Sequence, residues 1–151
     1  MDGLALGERH HIRAHLHGLA PPADKMHLDA PVLTVPHRAM VERHLHLARR
    51  VADQVDAAPD LERLADVRLN VVCFRYHPPD VPEAELNDIN RRLGELILED
   101  GRVYFGTTDY AGKVAFRPAM VNWRTREEDV DLIVRVVREL GSRSVARDPR
   151  A

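Results

Sequence analysis

The chain has 151 residues, enough for one domain with its own apolar core. Apolar residues make up 44% and charged residues 30%, and the net charge is −2, so no strong field of either sign selects nucleic acid or anionic lipid. A single cysteine, Cys73, excludes an intrachain disulfide framework and a thiolate zinc cluster, which makes a reducing cytoplasm the expected setting.

No apolar run approaches the ~20 residues of a membrane span. The opening stretch, MDGLALGERHHIRAHLHG, has no apolar core followed by a small-residue cleavage site, so no secretory signal is expected. Basic residues are lopsided, 20 Arg against 2 Lys, so any chemistry that needs a lysine must use Lys25 or Lys113.

Three parts follow one another. Residues 1–36 are rich in His, Pro and Ala with weak periodicity, and their role is not legible. Residues 37–141 carry regular patterning, and 142–151 (SRSVARDPRA) read as a flexible tail. Val41, Leu45, Ala48, Ala52 and Val55 step by four and three, which predicts a helix over roughly 38–57. A short strand is expected at 61–64. RLNVVCFRY (68–76) is β-branched and aromatic, apolar on both faces, and reads as a central strand.

Pro82, with Glu83 and Glu85 behind it, opens a second helix whose stripe is Leu86, Ile89, Leu93 and Leu96, and Gly101 ends it. VYFGTT (103–108) and KVAFRPAMVN (113–122) flank a Gly-containing connection and predict a hairpin, with Pro118 marking a bulge or an edge. Thr125 and Glu128 have capping-box spacing before a stripe of Val130, Ile133, Val137 and Leu140, and Gly141 is the expected stop. The order α-β-β-α-β-β-α predicts an α+β fold, a small antiparallel sheet with helices packed on one face.

Three stretches carry a family resemblance. HLHLARRVADQV, RLNVVCFRY and FRPAMVNWRTREEDVDLIVRVVRELG, in this order, resemble the C-terminal small domain of the group II pyridoxal-phosphate decarboxylases, which include the glutamate, aromatic-amino-acid and tyrosine decarboxylases. The resemblance covers residues 37–141. It implies pyridoxal phosphate as cofactor, a homodimer or a separate cofactor-binding chain as partner, an amino acid as substrate, and loss of its α-carboxylate as CO₂. The family's Schiff-base lysine belongs to a large domain that residues 1–36 are too short to supply, so the chain is expected to be inactive alone.

Arg117 matches an arginine of the family's closing strand that faces the substrate carboxylate in several members. Arginine suits that task, because its planar fork binds a carboxylate bidentately and keeps its charge. The alternative is a solvated strand arginine. Lys25, in ADKMHLDAP, and Lys113, in the hairpin connection, read as solvated lysines, since a Schiff-base amine needs burial or a cationic neighbour. His11 and His15 have i, i+4 spacing, with His10, His17, His27 and His37 nearby. No third ligand is placed and no metalloprotease Glu follows, so no metal site is assigned. His44 and His46 read as surface or interface residues, and Cys73 as a small buried strand residue. A non-catalytic α+β binding or dimerisation module is the alternative function.

Overall fold

The computed structural model describes residues 30–146, with side chains from His37 onward. Three helices and four strands follow in the predicted order: α1 (Ala30–Ala57), β1 (Leu61–Arg63), β2 (Phe74–Tyr76), α2 (Glu83–Asp100), β3 (Thr107–Tyr110), β4 (Lys113–Phe116) and α3 (Glu127–Ala146). The strands form one antiparallel sheet ordered β1-β2-β4-β3. The fold is α+β, as the patterning implies.

One register organises the sheet. Phe74 faces Phe116, and Val71 bridges Ala119 with no residue inserted between the two pairs. No bulge occurs at Pro118: β4 ends at Phe116, and Pro118 lies beyond it with the pairing register unchanged. Val72 donates to the Pro118 carbonyl at 3.2 Å, and the proline, lacking an N–H, returns nothing. One ladder bond is lost and the register is kept. Further along, Met120 N–H donates to Asn70 O at 2.9 Å, and the Asn70 side-chain amide donates to Met120 O at 2.8 Å.

On the other side of Phe74 the two strands part, and α2 fills the gap with two asparagines. Asn90, fully buried, accepts from Tyr76 N–H at 2.9 Å and donates to Tyr76 O at 2.9 Å, as a neighbouring strand would. Asn87 serves β4 in the same way, accepting from Val114 N–H at 2.8 Å and donating to Gly112 O at 2.9 Å.

Phe74, Phe116 and Phe105 form the centre of the core, with edge-to-face rings whose centroids lie 5.7 Å apart in both pairs. The helices cover this face. α1 contributes Leu47, Ala48, Val51, Ala52 and Val55, and begins at Ala30, earlier than predicted. Val41, placed on the stripe by its spacing, is 50% exposed, because the body of the domain starts near His44. α2 buries Ile97 in place of the predicted Leu96, and ends on Gly101 at φ 72°, whose N–H donates to Ile97 O at 3.2 Å. The hairpin turns through Ala111 and Gly112, both at positive φ, which is the two-residue turn that matches strand twist.

Three further expectations change at α3. Asp129, not Glu128, closes the cap, accepting from the Arg126 N–H at 2.8 Å. Val134 is buried where Ile133 was expected to be, and Ile133 packs partly buried against the core. Gly141 does not stop the helix, which runs on to Ala146 through the start of the expected tail. Its role is packing: a Cβ there would lie 2.8 Å from the Tyr76 ring.

Asn90→Leu is expected to strand the Tyr76 N–H and C=O in the core. The cost is roughly 2–4 kcal/mol for two unpaired buried backbone groups. Urea unfolding at neutral pH checks this, with Asn87→Ala, at a half-buried position, as the milder comparison.

Candidate functional site on the open face of the sheet

The alternation of strand residues divides the sheet into two faces. Phe74, Tyr76, Val114 and Phe116 point into the core. Cys73, Arg75, Ala115 and Arg117 point the other way, to a face that no described helix covers. The continuous register places Arg117 opposite Cys73 on β2, and Arg117 N–H donates to Gly106 O at 3.1 Å on the β3 side.

Arg117 is exposed, and among the described residues no carboxylate pairs with it. Burial raises the Cys73 thiol above its usual range, and the nearby Arg117 charge opposes that shift without reversing it. Cys73 is therefore a protonated, half-buried thiol, in keeping with its predicted role as a packing residue. Arg117 is the open cation of this face, which is the position that binding a carboxylate requires.

The face is closed at one end. Arg75 is 1% exposed although it lies on the open side. Its guanidinium donates to Glu62 at 2.6 Å and bidentately to Glu83 at 2.8 and 2.7 Å, and Lys113 meets Glu62 at 3.1 Å. Two cations and two carboxylates thus form a neutral plug joining β1, β2, β4 and the first turn of α2. Burial opposes ionisation of Glu62, but hydrogen bonds from Arg75 and Lys113 prevail and hold it below the usual carboxylate range. Glu83 is lowered chiefly by its Arg75 hydrogen bonds.

The other end is apolar and open. Leu69 is 68% exposed, Val121 72% and Trp123 64%, with Arg124 stacked 4.8 Å from the Trp123 ring centre. The corner beyond is pinned from α1. Arg43 donates to Trp123 O at 3.1 Å and to Thr125 O at 2.5 Å, and His44 Nε2 donates to Asn122 O at 3.2 Å. His44, expected as a surface or interface residue, is instead buried within the domain. His46 is exposed and lies 3.2 Å from Glu127. A groove of about 390 Å³ beside α3, lined by Val103, Met120, Val130 and Ile133, presents Arg102, but that guanidinium is already bound to Asp100 and Glu139.

Lys113, committed to Glu62, is not an available amine. Helices α2 and α3 begin with Glu83 and Glu85, and with Glu127, Glu128 and Asp129, so acids occupy the positions where a phosphate would bind. The described residues do not fit pyridoxal phosphate. Lys25 and the histidines from His10 to His27 lie outside the described residues. Among those described, no cluster of three metal-ligating side chains occurs, and no helix is long and apolar enough to cross a membrane.

Sequence reasoning singled out Arg117 and missed Arg75. A signal was present: an arginine in an otherwise apolar strand must find counter-charges, and Glu62 and Glu83 flank it in sequence.

The sequence is 27% identical over 111 residues to tyrosine decarboxylase 2 of Arabidopsis thaliana, covering 74% of this chain and 20% of that protein. It is 29% identical over 104 residues to the aromatic-L-amino-acid decarboxylase of Bacillus atrophaeus, covering 68% and 22%. The fold superposes on Oryza sativa TDC, solved with PLP and tryptamine, with a TM-score of 0.65 at 19% identity, covering 70% of this chain and 23% of that one. The neighbours of this chain, in sequence and in fold, are group II pyridoxal-phosphate decarboxylases. The match is partial, and the chain spans about a fifth of the length of the curated relatives it matches. No family model matches.

The depressed carboxylates set a pH dependence. Glu62 and Glu83 are lowered, and Asp131, held by Arg50 and Gln54 against some burial, falls to about 2. Groups lowered on folding stabilise the protein above their unfolded values, and that stability drains away as pH falls below about 4. Arg75→Met is expected to cost about 2 kcal/mol at pH 7, below the usual range for a broken buried pair because both carboxylates keep some water. The gap between variant and parent narrows toward pH 2, which acid titrations of thermal unfolding will read.

Proposed function

We propose that this chain is the C-terminal small domain of a pyridoxal-phosphate-dependent amino-acid decarboxylase, and that it acts only with a domain or separate chain that holds the cofactor. The observation that carries this reading is Arg117. On a fold shared with these decarboxylases, it is an exposed arginine with no carboxylate partner among the described residues, set on the sheet face that no described helix covers. Its role is to bind the carboxylate of the amino-acid substrate where this face meets the cofactor-bearing body. The single, half-buried cysteine supports a cytoplasmic setting.

The lack of fit for the cofactor gives the test. Pyridoxal phosphate added to the purified chain, followed by borohydride, is expected to leave no stoichiometric adduct by intact mass. One specific adduct on Lys25 or Lys113 would overturn the proposal that the cofactor is held elsewhere.

A second reading, a non-catalytic binding or dimerisation module, draws on the exposed Leu69, Val121 and Trp123. Light scattering at high concentration tests the self-association it requires. A concentration-dependent dimer favours self-association through this strip, and a monomer counts against it.

A further inference from the structure

Five glycines lie among the described residues, and four have an internal reason. Gly101 and Gly112 adopt positive φ. Gly94 and Gly141 are closely approached, a Cβ meeting Thr107 Cγ2 in one case and the Tyr76 ring in the other. Gly106 has neither reason: its φ is not positive, and a Cβ built on it meets nothing within 4 Å. It is exposed, and it immediately precedes β3, where a β-branched residue would favour the strand. Close approach of a ligand or another backbone is one recurring reason for a glycine beside a strand.

Its place identifies what comes close. The β3–β4 pairing runs from Tyr110↔Lys113 to Thr107↔Phe116, and one step further sets Gly106 opposite Arg117, joined by the Arg117 N–H bond to Gly106 O. Alternation puts Gly106 on the open face, beside the Arg117 side chain. Cys73 flanks Arg117 on the other strand and Ala119 follows it, so the cation stands on a floor of short side chains. The Arg75 plug closes one direction along this face, and the apolar lane of Val71, Ala119, Leu69 and Val121 leaves the other open.

We infer that Gly106 is a positioning residue for the Arg117 site: the bare backbone there lets a carboxylate-bearing small molecule with an apolar substituent lie against β3 while Arg117 holds its carboxylate. The inference rests on the carboxylate-binding role proposed for Arg117. A side chain at 106 narrows the site without disturbing the fold, because it enters space the protein leaves empty.

The test is an NMR titration of the ¹⁵N-labelled full chain with phenylacetate. Phenylacetamide, which has the same shape and no charge, serves as control, and thermal melts run in parallel. Phenylacetate is expected to shift the Cys73, Gly106 and Arg117 amides in a saturable way, and phenylacetamide is not. Gly106→Val should weaken binding by about tenfold or more, equivalent to about 1.4 kcal/mol, with Gly106→Ala intermediate and neither melting earlier than the parent. Arg117→Met should abolish the response. If Gly106→Val binds phenylacetate as the parent does, or melts several degrees lower, the inference about Gly106 fails while the role of Arg117 stands. If the parent and Arg117→Met respond alike, the carboxylate role fails and the inference falls with it.

Discussion

Phe74 faces Phe116 across the β2–β4 ladder, and that register decides which residues reach each side of the sheet. A slip of β2 by one position against β4 would turn Cys73 and Arg75 into the core and expel Phe74 and Tyr76. The edge-to-face contacts of Phe116 with Phe74 and Phe105 make that slip costly. Pro118 can therefore follow β4 at the loss of one hydrogen bond without shifting the pairing. The candidate site depends on this pairing together with that of β3 and β4, since the first sets Cys73 and the second Gly106 beside Arg117.

The two faces meet solvent by different means. The core side is sealed by helices, with Asn87 and Asn90 reproducing strand hydrogen bonds where β2 and β4 part. The open side is sealed at one end by charge, the neutral group of Arg75, Lys113, Glu62 and Glu83, and is uncovered at the other. This asymmetry gives the domain a direction. The end that carries Arg117 and the Leu69–Val121–Trp123 strip is the end able to meet another body, and its corner is held in place by Arg43 and His44.

Element order and fold class were legible in the sequence because hydrophobic period and turn chemistry agree within each element. Pro82 and Gly101 bracket α2 as expected, and the connection around Gly112 turns as its composition implies. Details failed where tertiary contact overrides a local signal. Gly141 has the chemistry of a helix stop, but the Tyr76 ring, 65 residues away in sequence, is what requires it. Thr125 and Glu128 have capping-box spacing, but the chain turns one residue later and Asp129 takes that place. His44 looked like a surface or interface residue because nothing in the sequence brings Asn122 to it. At the site, Arg117 was found through family resemblance. Gly106 has no local signature; it stands out only once every other described glycine is accounted for.

The contact between Gly141 and Tyr76 also bears on how this domain can vary. With a Cβ on residue 141 only 2.8 Å from the ring, the volumes of the two positions are linked. Enlarging 141 becomes tolerable only when 76 loses its ring, and that loss opens a hole between α3 and β2 that a larger residue at 141 would partly fill. The two positions thus behave as a single unit of sequence change, coupling the terminal helix to the strand that carries Cys73 and Arg75. A related chain with alanine at 141 should carry a smaller residue at 76, and a chain that keeps the tyrosine should keep the glycine.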